Sequence, residues 1–269
     1  NFSGEKFGFD GDCFSYHDFQ CLSSQLSSST LSSISLVGLR SIKEEEEITL
    51  IKKAVEISDK AFEFMLNNLH EGMREIEAAA LLEYEMRRLG SEGVSFPTIV
   101  ASGVRSALPH GIASSKVIER GDFVTFDFGA IYSGYHSDIT RTVVIGSASP
   151  WQHAIYELVS EAQMLGIKNA RAGITGTELD AIVRSYITNH GYGQYFGHGL
   201  GHGVGLDIHE LPVASRRGKE KLENNMVVTV EPGIYIPCKG GVRIEDVIVI
   251  APDGCNILTN ASKRLFEIN

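Results

Sequence analysis

The densest chemistry in the chain lies in residues 197–210, Gly-His-Gly-Leu-Gly-His-Gly-Val-Gly-Leu-Asp-Ile-His-Glu. His198, His202 and His209 are three of only nine histidines, and five glycines alternate among the residues of this run. Neutral imidazole is the commonest metal ligand among side chains. Glycine permits φ > 0 or the close approach of another group, so the alternating glycines are expected to let the backbone pass close to metal and bound peptide. A second set of residues is acidic. Asp127, Asp138, Glu231 and Glu245 each sit in or beside an apolar, strand-like stretch. Carboxylates are depleted from strands and rarely buried unpaired. Four of them converging without countercharge would be severely unfavourable. Arg141 and Arg243 are nearby in sequence but supply only two positive charges, whereas two divalent cations balance all four carboxylates. With one histidine added, this nitrogen and oxygen set suits Mn, Fe, Co or Zn. Two such ions hold a water, lower its pKa and clamp a carbonyl oxygen as it becomes an oxyanion. That is hydrolytic chemistry, most naturally at an amide, and a neighbouring histidine can donate a proton or stabilise the oxyanion.

The elements that must bring these residues together can be read in order. Ser41 and Glu44 form an S-x-x-E capping box, after which Ile48, Ile51, Val55, Ser58, Phe62, Met65 and Leu69 recur at helical spacing. A second helix is expected over 74–89, ending near Gly90, and a short strand over 96–101. Segments 123–131 and 139–145 read as two strands of a hairpin. Ser149-Pro150 opens a helix that ends near Gly173, and Thr177 is expected to cap the next, with Gly191 after it. Segments 226–231, 233–236 and 243–250 are again strand-like. A repeat runs through this order. Val124-Thr125-Phe126-Asp127-Phe128-Gly129 aligns with Val228-Thr229-Val230-Glu231-Pro232-Gly233, and Asp138-Ile139 before an apolar run answers Glu245-Asp246 before another. Each half holds two helices followed by a hairpin with one acid on each strand. The expected fold is α+β, with two halves related by approximate two-fold symmetry and the four carboxylates meeting at the axis.

Length and composition set the frame. A chain of 269 residues holds one large domain or two modest ones. A net charge of −10 argues against a nucleic-acid partner. The four cysteines show no C-x-x-C pair, which fits a reducing, cytoplasmic setting. No apolar run is long enough to span a membrane and no signal peptide is visible. Residues 1–40 lack periodic structure, and eight serines in 20–38 read as a loop. His17, His70, His136, His153 and His190 read as structural or surface residues.

Asp127, Asp138 eleven residues on, His202, Glu231 and Glu245 together resemble the five ligands of the pita-bread metallopeptidases, a family that includes methionine aminopeptidases, prolidases and aminopeptidase P. Arg243-Ile244-Glu245-Asp246, His198 four residues before His202, and Glu231-Pro232-Gly233-Ile234-Tyr235 resemble the proline-specific branch, that is, Xaa-Pro dipeptidases and Xaa-Pro aminopeptidases. The resemblance runs from about residue 41 to the C-terminus. It implies the pita-bread (creatinase/aminopeptidase) fold, two α+β halves with pseudo-two-fold symmetry around a curved antiparallel sheet. It implies two divalent metal ions, Mn first with Co, Zn or Fe as alternatives, and hydrolysis of the bond before proline in a small peptide. Asp127 would chelate one ion, His202 and Glu231 the other, and Asp138 and Glu245 would bridge both. Glu231 would also accept the proton of the attacking water. His110 and His209 would contact substrate and stabilise the tetrahedral intermediate, and His198 and Arg243 would hold the proline end. Tyr235 is read either as a hydrogen-bond partner of these groups or as core. A homodimer is the assembly that comes with the resemblance. The other readings are a methionine aminopeptidase and a pita-bread module that binds peptides or proteins without catalysis. Proline-specific members usually carry an additional N-terminal domain. Residues 1–40 are expected to be the remnant of that domain and its linker, and residues 41–269 the catalytic domain.

Overall fold

The structure is a computed structural model, and it describes residues 4–11 and 13–269. These fall into two compact units, one ending at Ser41 and one running from Ile42 to Asn269. In the first unit, strands β1 (Lys6–Asp10) and β2 (Thr30–Ile34) pair in parallel and are joined by helix α1 (Tyr16–Gln25); helix α2 (Val37–Ser41) follows. The serine-rich stretch expected as a loop therefore forms the end of α1 and the whole of β2. Ser15 caps α1 by accepting the Asp18 N–H at 3.1 Å. The Phe9 ring packs against Phe14 and Phe19, with centroids 5.5 and 5.2 Å apart. Serines carry no apolar period, so only the pairing to a strand far earlier in the chain marks β2. Residues 1–3 and Asp12 of the expected N-terminal remnant lie outside the described residues.

The second unit opens with helices α3 (Glu45–Asn68) and α4 (Glu75–Arg88). Ile51, Ala54, Val55, Ser58, Ala61, Phe62 and Met65 form the buried face of α3, at the spacing the sequence indicates. Its start differs from the sequence expectation. Ser41 spends its hydroxyl on the Gly38 carbonyl, closing α2 at 2.8 Å, and the Glu44 N–H is instead satisfied by Glu47 at 2.8 Å. Strands β3 (Ile99–Ser102), β4 (Phe123–Phe128), β5 (Ile131–Tyr132), β6 (Tyr135–His136) and β7 (Ile139–Ile145) complete the first half. Helices α5 (Pro150–Asn169) and α6 (Gly176–Asn189) begin the second. The cap of α6 is Thr175, whose Oγ1 accepts the Glu178 N–H at 3.1 Å, while Thr177 donates to the Gly218 carbonyl. Strands β8 (Gly201–Gly203), β9 (Glu210–Ala214), β10 (Val227–Val230), β11 (Gly233–Ile236), β12 (Gly240–Arg243), β13 (Asp246–Ala251), β14 (Gly254–Ile257) and β15 (Glu267–Ile268) follow.

The repeat read in the sequence is a repeat of topology. One sheet runs β15-β7-β4-β3 and the other β14-β13-β10-β8-β9. The antiparallel set β3-β4-β7 answers β8-β10-β13, and a small hairpin, β5-β6 or β11-β12, is inserted at the same place in each. Each half has its own apolar core. Phe62, Leu82, Phe126 and Val143 are buried in the first, and Val159, Val183, Val228 and Ile248 in the second. The halves join where the Glu245 N–H donates to the Thr140 carbonyl at 3.1 Å and the Thr142 hydroxyl donates to the Arg243 carbonyl at 3.1 Å. Arg141 lies buried at this seam, donating to the carbonyls of Glu245 and Ala261 and pairing with Asp246 at 2.7 Å. No described helix is long and apolar enough to cross a membrane.

Candidate metal centre

The acids arrive from matching places in the two halves. Asp127 is on β4 and Asp138 just before β7; Glu231 follows β10 and Glu245 precedes β13. Asp127 and Asp138 are drawn together because the chain doubles back tightly between them. A Cβ on Gly129 would collide with the Ser137 carbonyl, and the Ser137 hydroxyl accepts the Ala130 N–H at 2.9 Å. His202 comes from β8. All five, with His110, His198, His209 and Arg243, line one cavity of about 460 Å³.

The ligand atoms of Asp138, His202 and Glu245 lie within 4.8 Å of one another. His202 Nε2 is 3.5 Å from both Asp138 Oδ2 and Glu231 Oε1. Its Nδ1 lies 3.0 Å from the Gly203 carbonyl, which can only accept, so Nδ1 carries a proton and Nε2 is the ring nitrogen turned to the cavity. Two buried carboxylate oxygens, Asp138 Oδ1 and Glu245 Oε1, have no hydrogen-bond partner. Native interiors rarely leave such acceptors unsatisfied. Burial, then the charges of Asp127 and Glu231, raises the Asp138 carboxyl well above its ordinary range. Burial, then Asp138 and Glu231, does the same to Glu245. Glu231 is raised by burial against the counteracting charges of His202 and Arg243. Bare carboxylate oxygens beside an imidazole nitrogen fit a divalent cation.

Asp127 and Arg243 are engaged differently from the central three. Arg243 Nη2 forms an ion pair with Asp127, Nη1 donates to Tyr235 Oη at 2.7 Å and to the Pro109 carbonyl at 3.2 Å, and Nε donates to Thr140 Oγ1 at 3.0 Å. Thr140 passes the contact on to Glu245 Oε2 at 2.6 Å. His198 Nδ1 donates to the Gly199 carbonyl at 2.7 Å, so its Nε2 accepts from the Tyr235 hydroxyl at 2.8 Å. Burial, then the Arg243 charge, lowers His198 to about 3, so it is neutral. Its polar atoms and those of Arg243 are thus turned to protein partners, and both residues present walls to the cavity. His209 stacks edge-on to His202 with centroids 4.3 Å apart, and burial followed by His202 lowers its pKa. The loop carrying His198 is itself held by Arg184, which donates to the carbonyls of Phe196 and His198 and pairs with Asp180 at 2.7 Å.

Gly201 and Gly203 among the alternating glycines make room for the protein's own backbone. None of Gly197, Gly199, Gly201, Gly203 or Gly205 has positive φ. A Cβ on Gly201 would meet the Thr229 carbonyl, and one on Gly203 the Leu211 carbonyl, so the glycines let β8 lie tight between its neighbours. Sequence reasoning overlooked Thr140 and Thr229, which orient Glu245, His202 and Glu231. Thr140 lies two residues after Asp138 and Thr229 two before Glu231, a period-two signal that places each on its acid's side of the strand. The apolar wall of Phe96, Pro97, Ile99, Ile112 and Val213 also went unremarked. Of the remaining histidines, His17, His70, His153 and His190 are exposed and His136 is half-buried.

Residues 49–252 match metallopeptidase family M24. The chain belongs to that family. It is 53% identical over 227 residues to the Xaa-Pro dipeptidase of Pyrococcus horikoshii, an alignment that covers 84% of this chain and 65% of that relative, so the chain spans about two thirds of its relative's length. Among solved structures, the Xaa-Pro dipeptidase from Bacillus anthracis superposes with a TM-score of 0.95 at 49% identity, covering 98% of this chain and 74% of that one. The X-Pro aminopeptidase from Thermotoga maritima superposes with a TM-score of 0.95 at 46% identity, covering 98% and 76%. These likenesses bear out the α+β pita-bread fold with its two halves, and divalent metal ions belong to the family's chemistry.

Proposed function

We propose that this chain is a dinuclear metallopeptidase that hydrolyses the bond before proline. The observation that carries the reading is the pair of unpartnered, buried oxygens on Asp138 and Glu245 beside the His202 ring. Asp127, Asp138, His202, Glu231 and Glu245 would hold two divalent ions, Mn first and Co, Zn or Fe as alternatives. When bound, these supply an activated water and Lewis-acid polarisation of the scissile carbonyl. Glu231, its carboxyl raised by burial, is suited to take the proton of the attacking water and pass it to the leaving proline nitrogen. His110 and His209, both lining the cavity, would hydrogen-bond the carbonyl oxygen as charge develops on it. Arg243 holds Asp127 and, through Tyr235, fixes the His198 ring as a wall beside the proline. The relatives named as Xaa-Pro dipeptidase and X-Pro aminopeptidase support the choice of proline. A homodimer, a cytoplasmic setting, and residues 1–40 as the end of an N-terminal domain belong to the same proposal.

The test is metal analysis of the purified protein together with a cleavage panel of Xaa-Pro, Xaa-Pro-Yaa and Met-Ala-Ser peptides. Cleavage before proline with added Mn or Co is the expected result. Release of Met from Met-Ala-Ser with no action before proline would instead mark a methionine aminopeptidase. A protein that holds no metal and cleaves nothing would be a binding module.

A further inference from the structure

A free Xaa-Pro dipeptide and a longer Xaa-Pro-Yaa peptide present different chemistry one residue past the scissile bond. The dipeptide ends there in a carboxylate, and the longer chain continues as a neutral amide. Taking a carboxylate out of water without a countercharge is costly, and proteins meet one with an arginine fork, a lysine or a set of N–H donors.

The lining of the cavity carries four carboxylates and, among the described residues, one permanent cation, Arg243. Arg243 as a residue is only 3% exposed. Four of its N–H donors are committed to Thr140, Pro109, Tyr235 and Asp127, out of the five a guanidinium possesses. His198 is neutral and has both ring nitrogens engaged. Three arginines are near the rim in sequence, Arg105, Arg216 and Arg217, and none is among the residues that line the cavity. Arg105 pairs with the buried Glu75 at 3.0 Å and donates to the Ile112 carbonyl at 2.7 Å. Arg216, next to Ser215, faces a separate groove along α6. The wall that does run outward is apolar: Ile112 is 59% exposed and Val213 36% exposed, and both line the cavity.

We propose, resting on the proline-specific reading above, that the cavity selects peptides in which a neutral amide follows proline, that is, N-terminal Xaa-Pro-Yaa peptides, over free Xaa-Pro dipeptides. The chain then acts as an aminopeptidase that removes the residue before proline, leaving the rest of the peptide across the uncharged rim formed by Ile112 and Val213.

Three substrates separate charge from length: Ala-Pro, Ala-Pro-NH₂ and Ala-Pro-Ala, each assayed with the Mn-loaded 269-residue chain. The expected result is that kcat/KM for both Ala-Pro-NH₂ and Ala-Pro-Ala exceeds that for Ala-Pro by about 100-fold, the order of effect of an unpaired buried charge. Equal rates on all three, or a preference for Ala-Pro, would overturn the inference and leave proline specificity standing. Fast cleavage of Ala-Pro-Ala with Ala-Pro-NH₂ as slow as Ala-Pro would overturn it as well, because length rather than charge would then decide. Cleavage of none of the three would instead overturn the proline-specific reading on which the inference rests.

Discussion

The two halves of the 42–269 unit share one plan and differ at one position that matters most. In the first half Ile99 stands opposite Asp127 and Ala101 opposite Thr125. In the second, the Glu231 N–H reaches the Leu200 carbonyl and the His202 N–H reaches the Thr229 hydroxyl. By this register His202 stands where the first half has Ala101. The first half therefore supplies charge alone, through Asp127 and Asp138. The second supplies charge through Glu231 and Glu245 and also an imidazole nitrogen, from His202. Their countercharges differ too: Asp127 is held by Arg243, which reaches across from β12, while Glu231 rests on Thr229 and His202. A symmetric scaffold thus brings four acids to its axis, and asymmetry at single positions turns the meeting point into a site with distinct roles.

The largest effect should come from the acids at the axis. Asp138→Asn is expected to lower turnover by at least about 1000-fold, because the proposed site would lose a ligand shared by both ions. The same change should raise the Tm of the metal-free protein by about 2–5 °C, because it removes one of several mutually repelling buried charges. A steady-state assay reads the first part and a calorimetric scan of the chelated protein the second, and a fall in the metal-free Tm would break the claim that this cluster is a cation site. His202→Ala makes the second half resemble the first at the differing position. Metal affinity should fall about 100-fold, as measured by titration calorimetry, with the fold retained in circular dichroism.

A smaller effect follows from pH. Asp138, Glu231 and Glu245 have carboxyls raised above their ordinary values by burial and mutual charge. Between the ordinary carboxylate range and these raised values the folded state holds more protons than the unfolded state, so stability falls as pH rises through that window. For these three acids alone that favours the folded state as pH is lowered from 7 to about 5, but His198, lowered to about 3, and His209, also lowered by burial, oppose it over the same range because the unfolded imidazoles take up protons first. The metal-free protein should therefore lose less Tm on acidification than its Asp138→Asn variant, and equal pH slopes for the two would count against the buried cluster. The smallest effect belongs to the helix caps. Thr175→Ala removes the cap of α6 and should cost about 1 kcal/mol in urea unfolding, whereas the matching position of α4, Arg74, relies on Glu77.

Much of this was legible in the sequence because the acids, the histidines and the apolar strands repeat together. The α+β halves, the order of helices and strands, and the hairpin of β4 with β7 follow from local pattern. What local pattern missed depended on contacts far away in the chain. Strand β2 exists because β1 pairs with it, not because its serines favour it. Ser41 and Thr177 look like caps, but their hydroxyls are taken by Gly38 and Gly218, so Glu47 and Thr175 act in their place. The glycines around His202 were read as room for ligand and turned out to be room for the Thr229 and Leu211 carbonyls. The gathering of the candidate residues in one cavity is visible only in three dimensions, as is the engagement of Arg243 and His198 by Asp127 and Tyr235.

The most direct test of the central claim is a crystal structure of the protein grown with Mn²⁺ and measured for anomalous scattering. Two anomalous peaks are expected within the cavity, enclosed by Asp127, Asp138, His202, Glu231 and Glu245, with the Asp138 and Glu245 carboxylates between them. An absence of peaks there, or peaks held only by other residues, would contradict it.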